Sequence, residues 1–293
     1  MIACFGSLNA DFIYELDRLP TAGQTVRSRR LHIEAGGKGA NQALAAALDG
    51  AAVAMVGAVG RDPLAEVALS PLKSAGVDID GVVAGGAPTG TASIYVDADG
   101  CNEIVIAAGA NDEASAGQLD DAALRTIDIL MLQMETPPAE VATLLARAKA
   151  AGVRTLLNLA PAIALDAAAL RLADVLIVNE DEAETAAGWL GCAGDAEGLS
   201  AALGTNVLRT LGAEGAEFAG PLGRCRLPAR PVAAVDTTAA GDCFIGVFAA
   251  ALDRGDDLVA AMSRATTAAG LACSRRGSQS SLPNRTEISA ALP

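Results

Sequence analysis

The sequence predicts an α/β fold built on a mostly parallel sheet with helices on both faces. Short runs rich in Val, Ile and Leu alternate with longer Ala/Leu patterns at helical spacing, which is the signature of βαβ units. Of the 293 residues, 52 % are apolar and 19 % charged, enough to bury a core and far from the composition of a disordered chain. At roughly 100–200 residues per domain, one main domain over residues 1–293 accounts for the length.

Strands are expected at 2–6, 52–58, 127–133, 153–158, 173–178 and 206–211, where β-branched residues and Leu form short unbroken runs. Helical patterns lie between them, near 39–49, 62–75, 115–124, 137–151, 180–188 and 196–203. The C-terminal third departs from this rhythm, with a hairpin-like stretch around 215–227 and long helices at 240–253 and 256–273. Two segments interrupt the alternation. Residues 12–34 read as extended pieces broken at Pro20 and Gly23, with strand-like composition from Thr25 to Ile33. Residues 90–107 read as two strands joined by a turn at Asp97 to Gly100. Paired, the two segments would form a small sheet, a lid over the carboxyl ends of the parallel strands, where open α/β sheets bind ligands.

Charge narrows the partners. With 21 Lys+Arg against 35 Asp+Glu the net charge is −14, which offers no basic face to nucleic acid or anionic lipid. The longest charge-free stretch, Gly81 to Val96, spans 16 positions and contains Gly85, Gly86, Pro88 and Gly90. A spanning helix needs about 20 apolar residues, so no membrane segment is expected. No basic region precedes the apolar start, so no signal peptide and a cytoplasmic location are expected. The cysteines at 4, 101, 192, 225, 243 and 273 show no C-x-x-C spacing, and His32 is the single histidine. A zinc site or disulfide framework is therefore not expected, and the thiols are read as buried. One histidine also speaks against a Ser-His-Asp or Cys-His hydrolase.

Two motifs carry chemistry. Asp236 to Asp242 (DTTAAGD) stands directly before the apolar pattern Phe244, Ile245, Val247, Phe248 and Leu252. Such a turn is either an Asp/Thr cap or an anion site made by the free N–H groups of Ala239, Ala240 and Gly241. Asp242 would lie in the first helical turn, where the dipole favours its ionised form. Gly36 to Gln42 (GGKGANQ) is the second motif, with glycines that permit close backbone approach and Lys38, Asn41 and Gln42 as donors. Neither a Walker A pattern nor G-x-G-x-x-G occurs, which argues against a nicotinamide-dependent dehydrogenase.

GGKGANQA, with GSLNAD at Gly6 to Asp11, resembles the N-terminal signature of the ribokinase (PfkB) family of carbohydrate kinases, and DTTAAGDCFIG resembles its C-terminal signature. Met134-Glu135, NLAPA at 158–162, NEDEAE at 179–184, TLGAEGA at 210–216 and RRGSQSSLPNRTEI at 275–288 add matches in family order along nearly the whole chain. The resemblance implies a ribokinase-like, doubly wound α/β/α sandwich with a small β-sheet lid. It implies ATP-dependent phosphorylation of a small sugar, and the intact GGKGANQA and GSLNAD are most like the members that phosphorylate the 5-hydroxyl of D-ribose. A nucleoside, fructose, or a deoxy or phosphorylated sugar is the alternative acceptor, and a non-catalytic sensor is a further one.

Carried over by position, the resemblance makes Asp242 the base and Ala239, Ala240 and Gly241 the anion hole. Asn9, Asp11, Gly37, Lys38, Asn41 and Glu135 fall on sugar-binding positions, together with Asp242. Asn179, Thr210, Gly212, Gly215, Gly241 and Thr266 fall on nucleotide positions, Thr266 where relatives often carry His or Asn. Glu182 would serve Mg²⁺ through water. Asp236, Thr238, Ala272, Arg275, Gly277 and Ser281 fall on a loop for an activating K⁺. A homodimer through the lid is also implied. Cys243 stands where relatives often carry Thr. Of the remaining residues, Arg27, Arg29, Arg30 and His32 are read as a solvated lid face, Phe12, Tyr14 and Tyr95 as packing between lid and domain, and Trp189 as packing at a helix end.

Overall fold

The computed structural model describes residues 1–98 and 101–292. Thirteen strands run in chain order among these residues: β1 (Ile2–Phe5), β2 (Asn9–Glu15), β3 (Arg30–Gly36), β4 (Val53–Val59), β5 (Asp78–Ala84), β6 (Gly90–Val96), β7 (Asn102–Ala107), β8 (Ile129–Leu132), β9 (Arg154–Asn158), β10 (Val175–Val178), β11 (Asn206–Thr210), β12 (Ala216–Gly220) and β13 (Gly223–Leu227). The helices are α1 (Lys38–Leu48), α2 (Pro63–Ser74), α3 (Asp121–Leu124), α4 (Pro138–Ala151), α5 (Ala167–Leu170), α6 (Glu180–Leu190), α7 (Ala196–Leu203), α8 (Ala240–Asp253), α9 (Leu258–Cys273) and α10 (Arg285–Ala291).

The large sheet has the order β13-β12-β11-β10-β9-β8-β1-β4-β5, parallel from β11 to β5 and antiparallel only in the β11-β12-β13 meander. Its inner parallel strands, such as β1, β8 and β10, are buried on both sides, as their unbroken apolar runs require. One face packs α1, α2, α8, α9 and α10 through residues such as Leu44, Leu72, Val247, Met262 and Ile288. The other packs α4, α6 and α7 through Leu144, Ala183 and Leu199. The result is a doubly wound α/β/α sandwich. Strand order reverses at β1, which has β4 on one side and β8 on the other, so a crevice opens beyond the carboxyl ends of β1 and β8.

A second sheet, β3-β2-β6-β7, stands apart from the first. It begins and ends further out than residues 12–34 suggest, because β2 starts at Asn9 and β3 continues to Gly36, each paired with the other. The Asn9 and Gly36 ends of this pair therefore bring two binding motifs side by side. Tyr14 and Tyr95 stack with ring centroids 5.3 Å apart on neighbouring strands.

Several expectations are corrected. The strand read from Thr25 starts only at Arg30, since after the Pro20–Gly23 turn the mostly exposed chain meets β2 only at its end, and the ladder begins where Arg30 pairs with Glu15. The helix read at 115–124 divides into a 3-10 turn, Ala116–Gln118, and the single turn α3, because Ser115 and Asp120 each cap a new start. Strand β5 escapes the sequence pattern because it is a half-exposed edge with two Asp and a Gly. The turn read at Asp97 to Gly100 has Asp99 and Gly100 outside the described residues. Only Cys4 and Cys243 are buried; Cys101 is exposed and the others are half-buried. Trp189 is 42 % exposed, so it contributes little packing.

Candidate active site

The chain turns sharply at each carboxyl end that feeds the crevice. After β1, Ser7 donates its hydroxyl to Glu135 Oε2 at 2.6 Å, and Glu135 lies just past β8. The same carboxylate oxygen accepts the Lys38 backbone N–H at 3.1 Å, so Glu135 ties together β1, β8 and the start of α1. Gly37 caps α1 with φ +89°, and a Cβ there would lie 2.8 Å from the Ser7 carbonyl. Only glycine permits this approach.

Helix α8 begins at a turn whose N-cap, Ala239, has φ 56°, the one non-glycine residue with positive φ among the described residues. An alanine in this region carries a cost of about 1–2 kcal/mol, and such strain concentrates at functional sites. Within the turn the Ala240 N–H donates to the Thr237 carbonyl at 3.2 Å, while the N–H groups that follow, from Gly241, lie where a helix start can face an anion. Asp242 follows in the first turn. Its Oδ2 accepts from Asn41 Nδ2 and its Oδ1 from Gln42 Nε2, both at 2.9 Å. Gln42 Nε2 also donates to Asn158 Oδ1 at the end of β9. Burial raises the Asp242 pKa, and it outweighs Lys38 and the two amides, which favour the ionised form. The dipole argument from sequence thus names only one of the opposing influences.

The acidic cluster extends to the second sheet. Asp11 on β2 is buried, its Oδ1 has no hydrogen-bond partner, and its pKa is pushed up to about 7 by burial and by Glu135, Glu34 and Asp242. Asn9 Oδ1 accepts from Asn111 Nδ2 at 2.8 Å, which fixes the Asn9 amide. Burial works against the Lys38 ammonium, but Asp242, Glu135 and Glu182 overcome it and raise its pKa.

Two adjoining cavities lie at the start of α8, and Asp242 lines the smaller of them. The smaller, about 240 Å³, is lined by Lys38, Asn179, Glu182, Thr210, Ala239 and Asp242 among others. The larger, about 590 Å³, is walled by Thr210, Gly212, Gly215, Ala240, Phe244 and Thr266 among others. Asn179, Thr210, Thr237 and Gly241 line both. Asn179 and Glu182 form a reciprocal capping box at the start of α6, each backbone N–H donating to the other's side chain at 2.8 Å. Burial raises the Glu182 pKa, so a cation nearby would be welcome.

The segment before α8 is joined to the segment after α9, Asp236 bonding to Cys273 and Gly277. Burial raises Asp236, but the Thr238 hydroxyl, the N–H groups of Thr238 and Gly277, and the charge of Arg276 overcome it and hold the carboxyl below its ordinary value. Ser281 is buried and donates to the Ser278 carbonyl, while Ala272 lies in the last turn of α9. The Arg275 guanidinium turns away to Glu287 at 2.5 Å, leaving only backbone toward the loop. Among the described residues no group of three His, Cys, Asp or Glu is arranged to hold a metal ion.

Sequence reasoning did not give roles to Ser7, Asn111, Gln133, Asn158 or Gln279. Each is a buried or site-facing polar residue whose partner lies on a distant element. A polar residue directly after an apolar run, as Gln133 follows β8, is the one local signal available.

The model of the pfkB carbohydrate kinase family matches residues 1–285. A ribokinase of Haemophilus influenzae is 35 % identical over 98 % of this chain and 96 % of its own length. A ribokinase structure from Thermotoga maritima superposes with TM-score 0.92 at 32 % identity, covering 100 % of this chain and 99 % of the other. An Arabidopsis thaliana ribokinase complexed with ribose and ATP superposes with TM-score 0.89 at 31 % identity, covering 99 % and 98 %. With its switch-point crevice, buried Asp242 and twin cavities, the chain belongs to the pfkB family of carbohydrate kinases, phosphotransferases that act on a hydroxyl group.

Proposed function

We propose that the protein is a ribokinase, transferring the γ-phosphoryl group of ATP to the 5-hydroxyl of D-ribose. The observation that carries this is the position of Asp242, buried where the smaller cavity beside Asn179 and Thr210 meets the cluster of Asp11, Lys38, Asn41 and Glu135. A carboxylate there can take the proton of a sugar hydroxyl as it attacks. The Ala239–Gly241 turn would offer backbone N–H groups to charge on the transferring group, with the Ala240 N–H leaving the Thr237 carbonyl to join them, and Lys38 adds a positive charge. Asp11 has an unpartnered oxygen for a sugar hydroxyl, and Asn9 and Glu135 are held in place by Asn111 and by Ser7. Asn179, Thr210, Gly212, Gly215 and Thr266 would hold the nucleotide, and the buried Thr266 hydroxyl likewise has no partner in the protein. Bound Mg²⁺ would neutralise phosphate charge, with Glu182 as its protein carboxylate.

The loop of Asp236, Thr238, Ala272, Arg275, Gly277 and Ser281 is proposed to take K⁺. Its supports are the ionised Asp236 and the joining of both loop segments by the Asp236–Gly277 hydrogen bond. The four-stranded sheet is proposed as a lid and as a homodimer face, because Ile104, Val105 and Ile106 are all at least half exposed on its outer strand. Among the described residues no helix is long and apolar enough to cross a membrane.

The test is ADP release with ATP and Mg²⁺ over ribose, deoxyribose, fructose, fructose 6-phosphate, adenosine and pseudouridine, with and without K⁺. Preference for ribose, weakened without K⁺, supports both assignments. Turnover on another acceptor replaces the substrate while keeping the base. A monomer in sedimentation removes the dimer.

A further inference from the structure

Asp242 is the meeting point of two amide chains. Its Oδ2 accepts from Asn41 Nδ2, and Asn41 Oδ1 in turn accepts from Gln279 Nε2 at 3.1 Å. Its Oδ1 accepts from Gln42 Nε2, and Gln42 Oε1 accepts from Gln133 Nε2 at 2.7 Å. The outer amides come from unrelated places, Gln133 after β8 and Gln279 in the C-terminal 3-10 turn. Both are more than nine-tenths buried, and each ends in an amide oxygen without a partner.

A primary amide presents N–H₂ or C=O from nearly the same outline. Turned one way, Asn41 and Gln42 donate to a carboxylate; turned the other, they accept from a protonated acid. A base that has just taken a proton would be trapped if its neighbours could turn to accept that proton. Here the turn is opposed: a flipped Asn41 or Gln42 would set its N–H₂ against the N–H₂ of Gln279 or Gln133, turning the outer amide as well would bury its N–H₂ where its oxygen now has no partner, and a flipped Gln42 would also lose the Asn158 Oδ1 acceptor. We propose that Gln133 and Gln279 are positioning residues that lock the polarity of Gln42 and Asn41, so that both oxygens of Asp242 meet N–H groups only. This rests on the reading of Asp242 as the base. The lock favours the ionised form and returns Asp242 to it after each turnover, against burial and the charge of Glu135. Lys38 supports the same form from α1; the other ionisable groups that sense Asp242 are Asp11, Glu182, Cys4 and Cys243.

The experiment is the pH profile of kcat for the intact enzyme with ATP, Mg²⁺ and the accepted sugar at saturation. The variants are Gln133→Met, Gln279→Met and Gln279→Glu, with Asp242→Asn alongside. In the Met variants the acidic limb moves up by about one pH unit, since a donor to the carboxylate is no longer held in place. KM for ATP stays within about twofold, because the nucleotide cavity is untouched. Gln279→Glu, which keeps the side-chain shape and so remains testable where a Met variant does not fold, loses kcat by roughly ten- to a hundredfold near neutral pH. The ionised carboxylate introduced by that substitution cannot donate, and it draws the Asn41 N–H₂ away from Asp242. Acidic limbs unmoved in folded, ATP-binding variants overturn the lock. Full turnover in Asp242→Asn would instead overturn the base, a separate result.

Discussion

Asn41 and Asp242, 201 positions apart, are joined by a 2.9 Å hydrogen bond between the first turns of α1 and α8. The contact brings the glycine-rich motif and the DTTAAGD motif into one site, each supplying what the other lacks. Asn41 and Gln42 provide donors without a carboxylate, and Asp242 provides a carboxylate whose ionised form burial disfavours and those donors favour.

Asp242→Asn keeps the size of the side chain and removes its basicity. Turnover is expected to fall by roughly 10²–10⁴-fold, the usual contribution of a general base, with ATP affinity little changed. Single-turnover kinetics and equilibrium nucleotide binding check both halves.

Gly246 is the reason α1 and α8 can approach closely enough for that contact. A Cβ at this position would lie 2.3 Å from the Gln42 carbonyl and 2.7 Å from Ala45 Cβ. Gly246→Ala is expected to cost about 1–3 kcal/mol of stability through overpacking. It should also lower kcat, since the displaced α8 carries Asp242 away from its donors. Chemical denaturation measured beside kcat would refute this if only one of the two changed.

Asp11 should make sugar binding depend on pH. Its pKa is raised to about 7 by burial and by Glu135, Glu34 and Asp242, and the ionised form offers two acceptor oxygens to hydroxyls. KM for the sugar is therefore expected to rise as pH falls below about 7. Stability runs the opposite way. Between the unfolded value, 3.8, and about 7 the folded state binds more protons, so stability falls as pH rises through this window. Asp11→Asn should abolish sugar saturation yet raise the melting temperature of the unliganded protein, more at pH about 8 than at pH about 5.

Glu182→Gln separates helix capping from metal binding. The amide oxygen can still accept from the Asn179 N–H, so α6 keeps its start. The lost charge should raise the Mg²⁺ concentration for half-maximal rate several-fold. A Mg²⁺ titration that overlays the parent protein's would show that Glu182 only caps the helix.

The Val/Ile/Leu runs and the Ala/Leu helices determine the α/β alternation by themselves, because side-chain periodicity acts over a few neighbouring residues. The same holds for GGKGANQ and DTTAAGD, whose small residues specify turns that open helices. The breaks within 115–124 and the late start of β3 were less legible. The first depends on caps competing within one short stretch, and the second on whether a partner strand is present. Tertiary structure alone decided that Asn41 and Gln42 hold Asp242, and that Gln279 and Gln133 orient them. It also decided that Glu135 ties β1 to β8 and that Asp11 is buried among acids. Burial and hydrogen-bond polarity are properties of residues brought together from distant positions, and no local stretch of sequence encodes them.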